Sequence, residues 1–223
     1  MIIDHTNKGY QRIWSLLPDE DRWNGAYYYS QEIVQNIIPN VETDRNWVTV
    51  DVPFCEDHSI VFIHSNIRTE VYEHLKDYKD LILVCGVSET CEKVAHLGKA
   101  IYLPLSVDVE YVKSFKVKKE ERTKGAAYAG RKSKMTAKLP DGIDYLTGMP
   151  RFDILQEMAR YKTIYAVGRL AIEAKILGCK IGAYDDRFPK VSFWKVLDNL
   201  DAAKILQEKI DEIDKPKGDK PQG

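Results

Sequence analysis

Residues Tyr165 to Tyr184 read YAVGRLAIEAKILGCKIGAY. The apolar run Thr163–Val167 (TIYAV) predicts a strand that ends at Gly168. Arg169 to Leu177 carries apolar residues at helical spacing, and Gly178 supplies the stop that helices favour. Lys180–Tyr184 (KIGAY) then predicts a second strand. Strand, helix and strand within so short a stretch imply a crossover connection, and crossovers join parallel strands.

The same rhythm extends upstream. Ala126–Ala129 and Asp144–Leu146 predict strands, and Pro150 fits the first turn of a helix reaching Arg160. Before them, Arg12–Leu17, Trp47–Val52, Ser59–His64, Leu81–Cys85 and Ala100–Leu103 read as strands. Helices are expected over Ala26–Ile38, Thr69–Lys79 and Ser88–Leu97, the last with Ser88 as N-cap and Gly98 as stop. Downstream, Val191 to Ile213 predicts one long helix. Alternation of this kind gives α/β architecture with parallel sheets covered on both faces. The charged stretch Lys116–Lys124 (KVKKEERTK) interrupts it, as a linker or as a solvated helix end. The expected division is an N-terminal Rossmann-like unit over 1–115, a second over 116–214 whose last helix crosses back, and a disordered tail, KPKGDKPQG, over 215–223.

Composition narrows the function classes. A net charge of −1 over 223 residues leaves no global field for nucleic acid or an anionic membrane. No apolar run approaches the ~18 residues of a membrane span. The amino-terminal MIIDHTNKGYQR has no signal-peptide core, so a cytoplasmic protein is expected. The four cysteines form no CxxC pair and the histidines are not spaced around them, which argues against a metal site. Cys85 and Cys179 sit in apolar runs and read as small buried hydrophobes.

Several residues have the chemistry of a phosphate or sugar site. Gly168 precedes a helix whose first N–H groups are unpaired and partly positive, and Arg169 adds a fixed charge. Glu173 is the one carboxylate in an apolar helix and needs a partner, either ribose hydroxyls or Arg169 at i−4. Gly130-Arg131-Lys132 follows a strand directly, which suits a diphosphate, although taken alone it reads first as a basic surface turn. His64 ends a strand, where it could face a ligand or serve structure alone, and Asp108 is a similar case. Trp23 and Tyr27–Tyr29 offer sugar stacking or core packing.

Taken in order, IVFIHSN, DLILVCGVSETCEKVAHLG, AIYLPLSVDVEYV, AYAGRKSKM and GRLAIEAKILG resemble the succession of motifs in retaining GT-B glycosyltransferases of the family 4 type, over roughly residues 45–185. The resemblance implies two small Rossmann-type domains facing a cleft and metal-independent transfer from a nucleoside diphosphate sugar, with UDP or GDP the expected carrier. It places Gly130, Arg131 and Lys132 on the diphosphate and Gly168 and Arg169 at its approach. Glu173 would bind ribose, Thr147 and Gly148 would lie near the base, and His64 would face the transferred sugar. His64, Arg131 and Lys132 would thus carry catalysis. The family's acidic residue eight positions before the ribose glutamate is Tyr165 here. The acceptor stays open among a glycan, a protein, a small molecule and a nucleic-acid base. Two other classes fit the chain: a GT-B-like shell that binds nucleotide or glycan without turnover, and an interaction protein that docks through its last helix and basic tail.

Overall fold

The computed structural model describes residues 2–3, 25–49, 55–63, 69–131, 139–184, 186–187 and 189–215. The expected strand Arg12–Leu17, Trp23, His64, Lys132 and the tail after Lys215 lie outside the described residues. No described helix is long and apolar enough to cross a membrane.

Two parallel sheets organise the chain. The first has the order β1 (Ile2–Ile3), β2 (Asn46–Val48), β3 (Ser59–Ile63), β4 (Ile82–Cys85) and β5 (Lys99–Tyr102). Successive residues of β3 and β4 point to opposite faces, as the pleat requires. Ile60, Phe62, Ile82 and Val84 pack on α1 (Gly25–Glu32), its π-helical continuation Ile33–Ile37 and α6 (Asn199–Asp214). Val61, Ile63, Leu83 and Cys85 pack on the 3-10 helix Thr69–Asp77 and on α2 (Ser88–Val94). Burial raises the thiol pKa of Cys85, and that of Cys179 to about 11, so both behave as inert apolar groups.

The second sheet has the order β7 (Asp144–Leu146), β6 (Lys124–Ala129), β8 (Tyr161–Tyr165) and β9 (Lys180–Gly182). Its core includes Ala127, Ile164, Leu155 and Met158 from α4 (Arg151–Met158), and Ile172 and Leu177 from α5 (Arg169–Leu177). Chain segment 103–123, with the short α3 (Val109–Lys113), joins the sheets. The expected parallel α/β architecture with Rossmann-like sheets is therefore present.

Two local expectations need correction, and two expected helices form with a winding that is not α throughout. The long helix over Val191–Ile213 is two pieces, a 3-10 turn Val191–Phe193 and α6 from Asn199. Val107 pairs with Asp198 across a bridge and its N–H donates to Leu197 O at 3.1 Å, which holds the intervening chain extended. Asp198 then caps α6 by accepting from Leu200 N. Ser88 is the first residue of α2 rather than its cap, Val87 taking that place. The segment Thr69–Asp77 coils as a 3-10 helix. The helix expected over Ala26–Ile38 leaves α geometry after Glu32 and reaches Pro39 through a π turn.

A clasp closes the amino ends of the first sheet. Arg45 is buried, and its Nε and Nη2 fork onto Asp214 at 3.1 and 2.6 Å. Its Nη1 donates to Asp80 O at 2.9 Å. His58 stands between Asp80 (Nδ1, 2.6 Å) and Asp44 (Nε2, 3.1 Å). His58 and Asp80 both hold positive φ, of 57° and 53°, a conformation that costs of order 1 kcal/mol or more and persists only where surroundings enforce it. The hydrogen bond to Asp80, then that to Asp44, raises the His58 pKa above 6.5. A raised folded pKa means stability fully present below pH 6.5 and lost as pH climbs through the folded value. The melting temperature should accordingly fall across that interval, and His58→Gln should remove the slope. An identical slope in the variant would show that His58 does not contribute to it.

Candidate functional site at the seam between the sheets

From β6 the chain runs to β7 on one side, then returns past β6 to β8 on the other. This reversal is a topological switch point, and open α/β sheets bind ligands beyond the carboxyl ends of strands at such points. Register makes the three ends neighbours. Ala129 pairs with Leu146, and Tyr128 with Tyr165. Gly130-Arg131, Thr147-Gly148 and Gly168-Arg169 therefore leave adjacent strands at the same edge.

The turn after β6 is anchored from inside. Tyr128 is fully buried and its hydroxyl donates to Arg131 O at 2.8 Å. A Cβ at residue 130 would stand 2.6 Å from that hydroxyl oxygen, so glycine is needed there for packing as much as for any ligand. Arg131 is half-buried, and among the described residues no carboxylate pairs with it. Gly168 has φ +65° and ψ −141°, open to glycine alone, and its carbonyl accepts from Ala171 N and Ile172 N as α5 begins. At the other end of α5, Gly178 caps at φ +86° and the Arg122 guanidinium donates to Leu177 O at 2.7 Å. Thr147 is half-buried and Gly148 exposed.

Arg169 does not turn toward open solvent. It is 8% exposed, bonds Glu32 of α1 through Nη2, and donates from Nε to Ser106 O at 3.3 Å. Its guanidinium lies 5.3 Å from the centre of the Tyr29 ring. Arg151, at the start of α4, bonds the same Glu32 oxygen through Nη1, and its Nη2 lies 2.9 Å from Glu173 Oε1. The Arg151 guanidinium also lies over the rings of Tyr28 and Tyr111, 5.8 and 5.3 Å from their centres. Glu173 Oε1 is 3.9 Å from Arg169 Nη2. Glu32 Oε2 accepts from Asp108 N at 3.1 Å and from Asn199 Nδ2 at 2.8 Å. Two carboxylates and two guanidiniums thus form a buried, formally neutral quartet joining the first sheet's helix to two helices of the second.

The two carboxylates differ. Burial alone pushes Glu32 upward, but Arg169, then Arg151, with the Asn199 amide, pull its pKa below the ordinary value. For Glu173 burial prevails over Arg151 and Arg169 and raises the pKa. The difference follows from partners: Glu32 receives N–H groups on both oxygens, whereas Glu173, among the described residues, rests on the two guanidiniums alone. Beside Glu173 is a cavity of about 50 Å³ lined by Tyr28, Met149, Arg151, Ile154, Arg169 and Leu170. On the far side of Glu32, Asp108 and Asn199 line a cleft of about 530 Å³.

The structure thus brings Gly130, Arg131, Thr147, Gly148, Gly168 and Arg169 to the carboxyl end of the second sheet and buries Glu173 a turn into α5 against Arg151 and Arg169, while His64 and Lys132 lie outside the described residues. Asp108 caps α3, its Oδ1 accepting from Tyr111 N at 2.9 Å. Tyr29 packs edge-on against Phe62, and Tyr28 lines the small cavity. Glu32 and Arg151 were not among the candidates, although the sequence holds a signal for each. Glu32 falls at i+3 from Tyr29 on the stripe continued by Ile33 and Ile37. Arg151 places a cation in the first turn of a helix, where the dipole disfavours it. No family model, curated protein or solved structure matches the chain.

Proposed function

We propose that this protein is a glycosyltransferase that binds a nucleoside diphosphate sugar, carried by UDP or GDP, across the carboxyl ends of β7, β6 and β8. One observation carries the binding half of the reading: three glycine-containing turns, two with an arginine, sit side by side at the switch point. The transfer half rests on the collinear motifs in the sequence. Arg131, uncommitted among the described carboxylates, would neutralise charge on the departing diphosphate, and the first N–H groups of α5 would add their partial charge. The acceptor is a glycan, protein, small molecule or nucleic-acid base.

Ligand sites of this kind occupy about 300–1,000 Å³. The cavity at Glu173 is about 50 Å³, so donor binding requires the seam to open. A thermal-shift panel of UDP, GDP, CDP, ADP and their sugars tests the reading. A ligand at 100 times its Kd should add ~2.7 kcal/mol of stability. If none of them shifts the melting temperature, the proposal fails.

A second reading, nucleotide binding without turnover, draws support from Tyr165. Its ring lies over Gly182, where an added Cβ would stand 2.3 Å from Cε1, so the position given to an acid in the resembled family holds a packed aromatic. Sugar release from any nucleotide sugar favours the enzyme. Tight nucleotide binding without release favours the module.

A further inference from the structure

We infer that Arg151 and Arg169 form a binding site for a phosphate-class anion, and that Glu32 is a built-in competitor occupying it. The inference rests on the reading of this edge as a donor site, and names the groups there that receive the phosphates and the group that must yield.

Both guanidiniums converge on one oxygen of Glu32, the arrangement that an anionic ligand oxygen would meet. The pair is not fully engaged by its present partners. Arg151 Nε and Nη2 are buried without a hydrogen-bond partner among the described residues, Nη2 lying within ion-pair distance of Glu173 but not aligned with it. The cavity lined by Arg151 and Arg169 opens beside these unused donors. The Arg169 guanidinium reaches away from its own backbone to Glu32 and to within 3.9 Å of Glu173, so an anion there would replace Glu32 between the same two cations.

Glu32 has somewhere else to go. Its Oε2 is held by Asp108 N and Asn199 Nδ2, both on the wall of the larger cleft. The two bonds are made by Oε2 alone, so Oε1 is the oxygen that an incoming anion would displace from the arginines. Bound anion and engaged Glu32 are therefore alternatives at one pair of cations. Because Glu32 belongs to α1 and the arginines to α4 and α5, exchange also releases the tie across the seam.

Inorganic pyrophosphate is the probe. Its dissociation constant is measured by calorimetry on the whole chain, for the parent protein and for Glu32→Gln and Glu32→Asp. Removing or shortening the competitor should tighten binding, by about tenfold for Glu32→Gln, because a larger fraction of molecules is competent to bind. Arg151→Gln and Arg169→Gln should abolish that gain. A merely structural Glu32 predicts the opposite sign, since loosening the seam would disorder the cations. Unchanged or weaker pyrophosphate binding in whichever Glu32 variant folds overturns the inference, as does absence of pyrophosphate binding in every form. If pyrophosphate responds as expected while no nucleoside diphosphate binds, the anion site stands and the nucleotide reading falls. If nucleotides bind with affinities indifferent to Glu32, the reverse holds.

Discussion

Glu32→Ala should lower the free energy of unfolding by about 3–5 kcal/mol, the usual cost of removing one partner from a buried ion pair. The carboxylate is 4% exposed and accepts from four groups: Arg151, Arg169, Asp108 N and Asn199 Nδ2. Without it two guanidiniums share Glu173 alone, a buried excess of one positive charge. The backbone N–H of Asp108 and the Asn199 amide lose their acceptor as well, each a further desolvation cost. The urea midpoint reads the effect. The contribution should also depend on acidity. The Glu32 pKa is lowered in the fold, so its stabilisation is present above the ordinary carboxyl value of 4.5 and fades as pH falls through the folded value. An unfolding free energy within about 0.5 kcal/mol of the parent would place Glu32 among ordinary surface positions.

Arg131→Ala should behave in the opposite manner, leaving stability nearly unchanged and, on the proposed reading, reducing sugar transfer by about 10²–10³, or roughly 3–4 kcal/mol of transition-state stabilisation. The guanidinium has no described carboxylate partner, and the turn is held through the Arg131 carbonyl by Tyr128, which the substitution does not disturb. A loss confined to KM would mean that Arg131 holds ground state and transition state equally. Unaltered turnover would remove it from the diphosphate altogether.

The parts of the fold that could be read from sequence are those where one local rule dominates. Arg169–Leu177 with its Gly178 cap, and Asp144–Leu146, stand where periodicity and glycine put them. The long helix expected across Trp194–Asp198 failed because apolar composition does not reveal pairing with a residue as remote as Val107. The 3-10 winding of Thr69–Asp77 has no distinct period in a segment this short. In the candidate site the strand-end turns were legible, because glycine and arginine directly after a strand form a local pattern. Glu173 was recognised as a carboxylate in need of a partner, and Arg169 at i−4 was one of the partners weighed. The nearer partner is Arg151, twenty-two residues earlier and on another helix. Such a choice is made by tertiary packing and leaves only indirect traces in sequence.

The final helix has a mechanical consequence. The chain passes between the sheets twice, outward along 103–123 and back between β9 and α6, and the bridge from Val107 to Asp198 fastens the two passages to each other. Like two pins of one door, the passages lie side by side at that bridge, and α6, packed on the first sheet, holds the returning one in place. A single proteolytic nick at Lys118 or Lys119 would leave both leaves attached, so the cut protein should still elute as one species under native conditions.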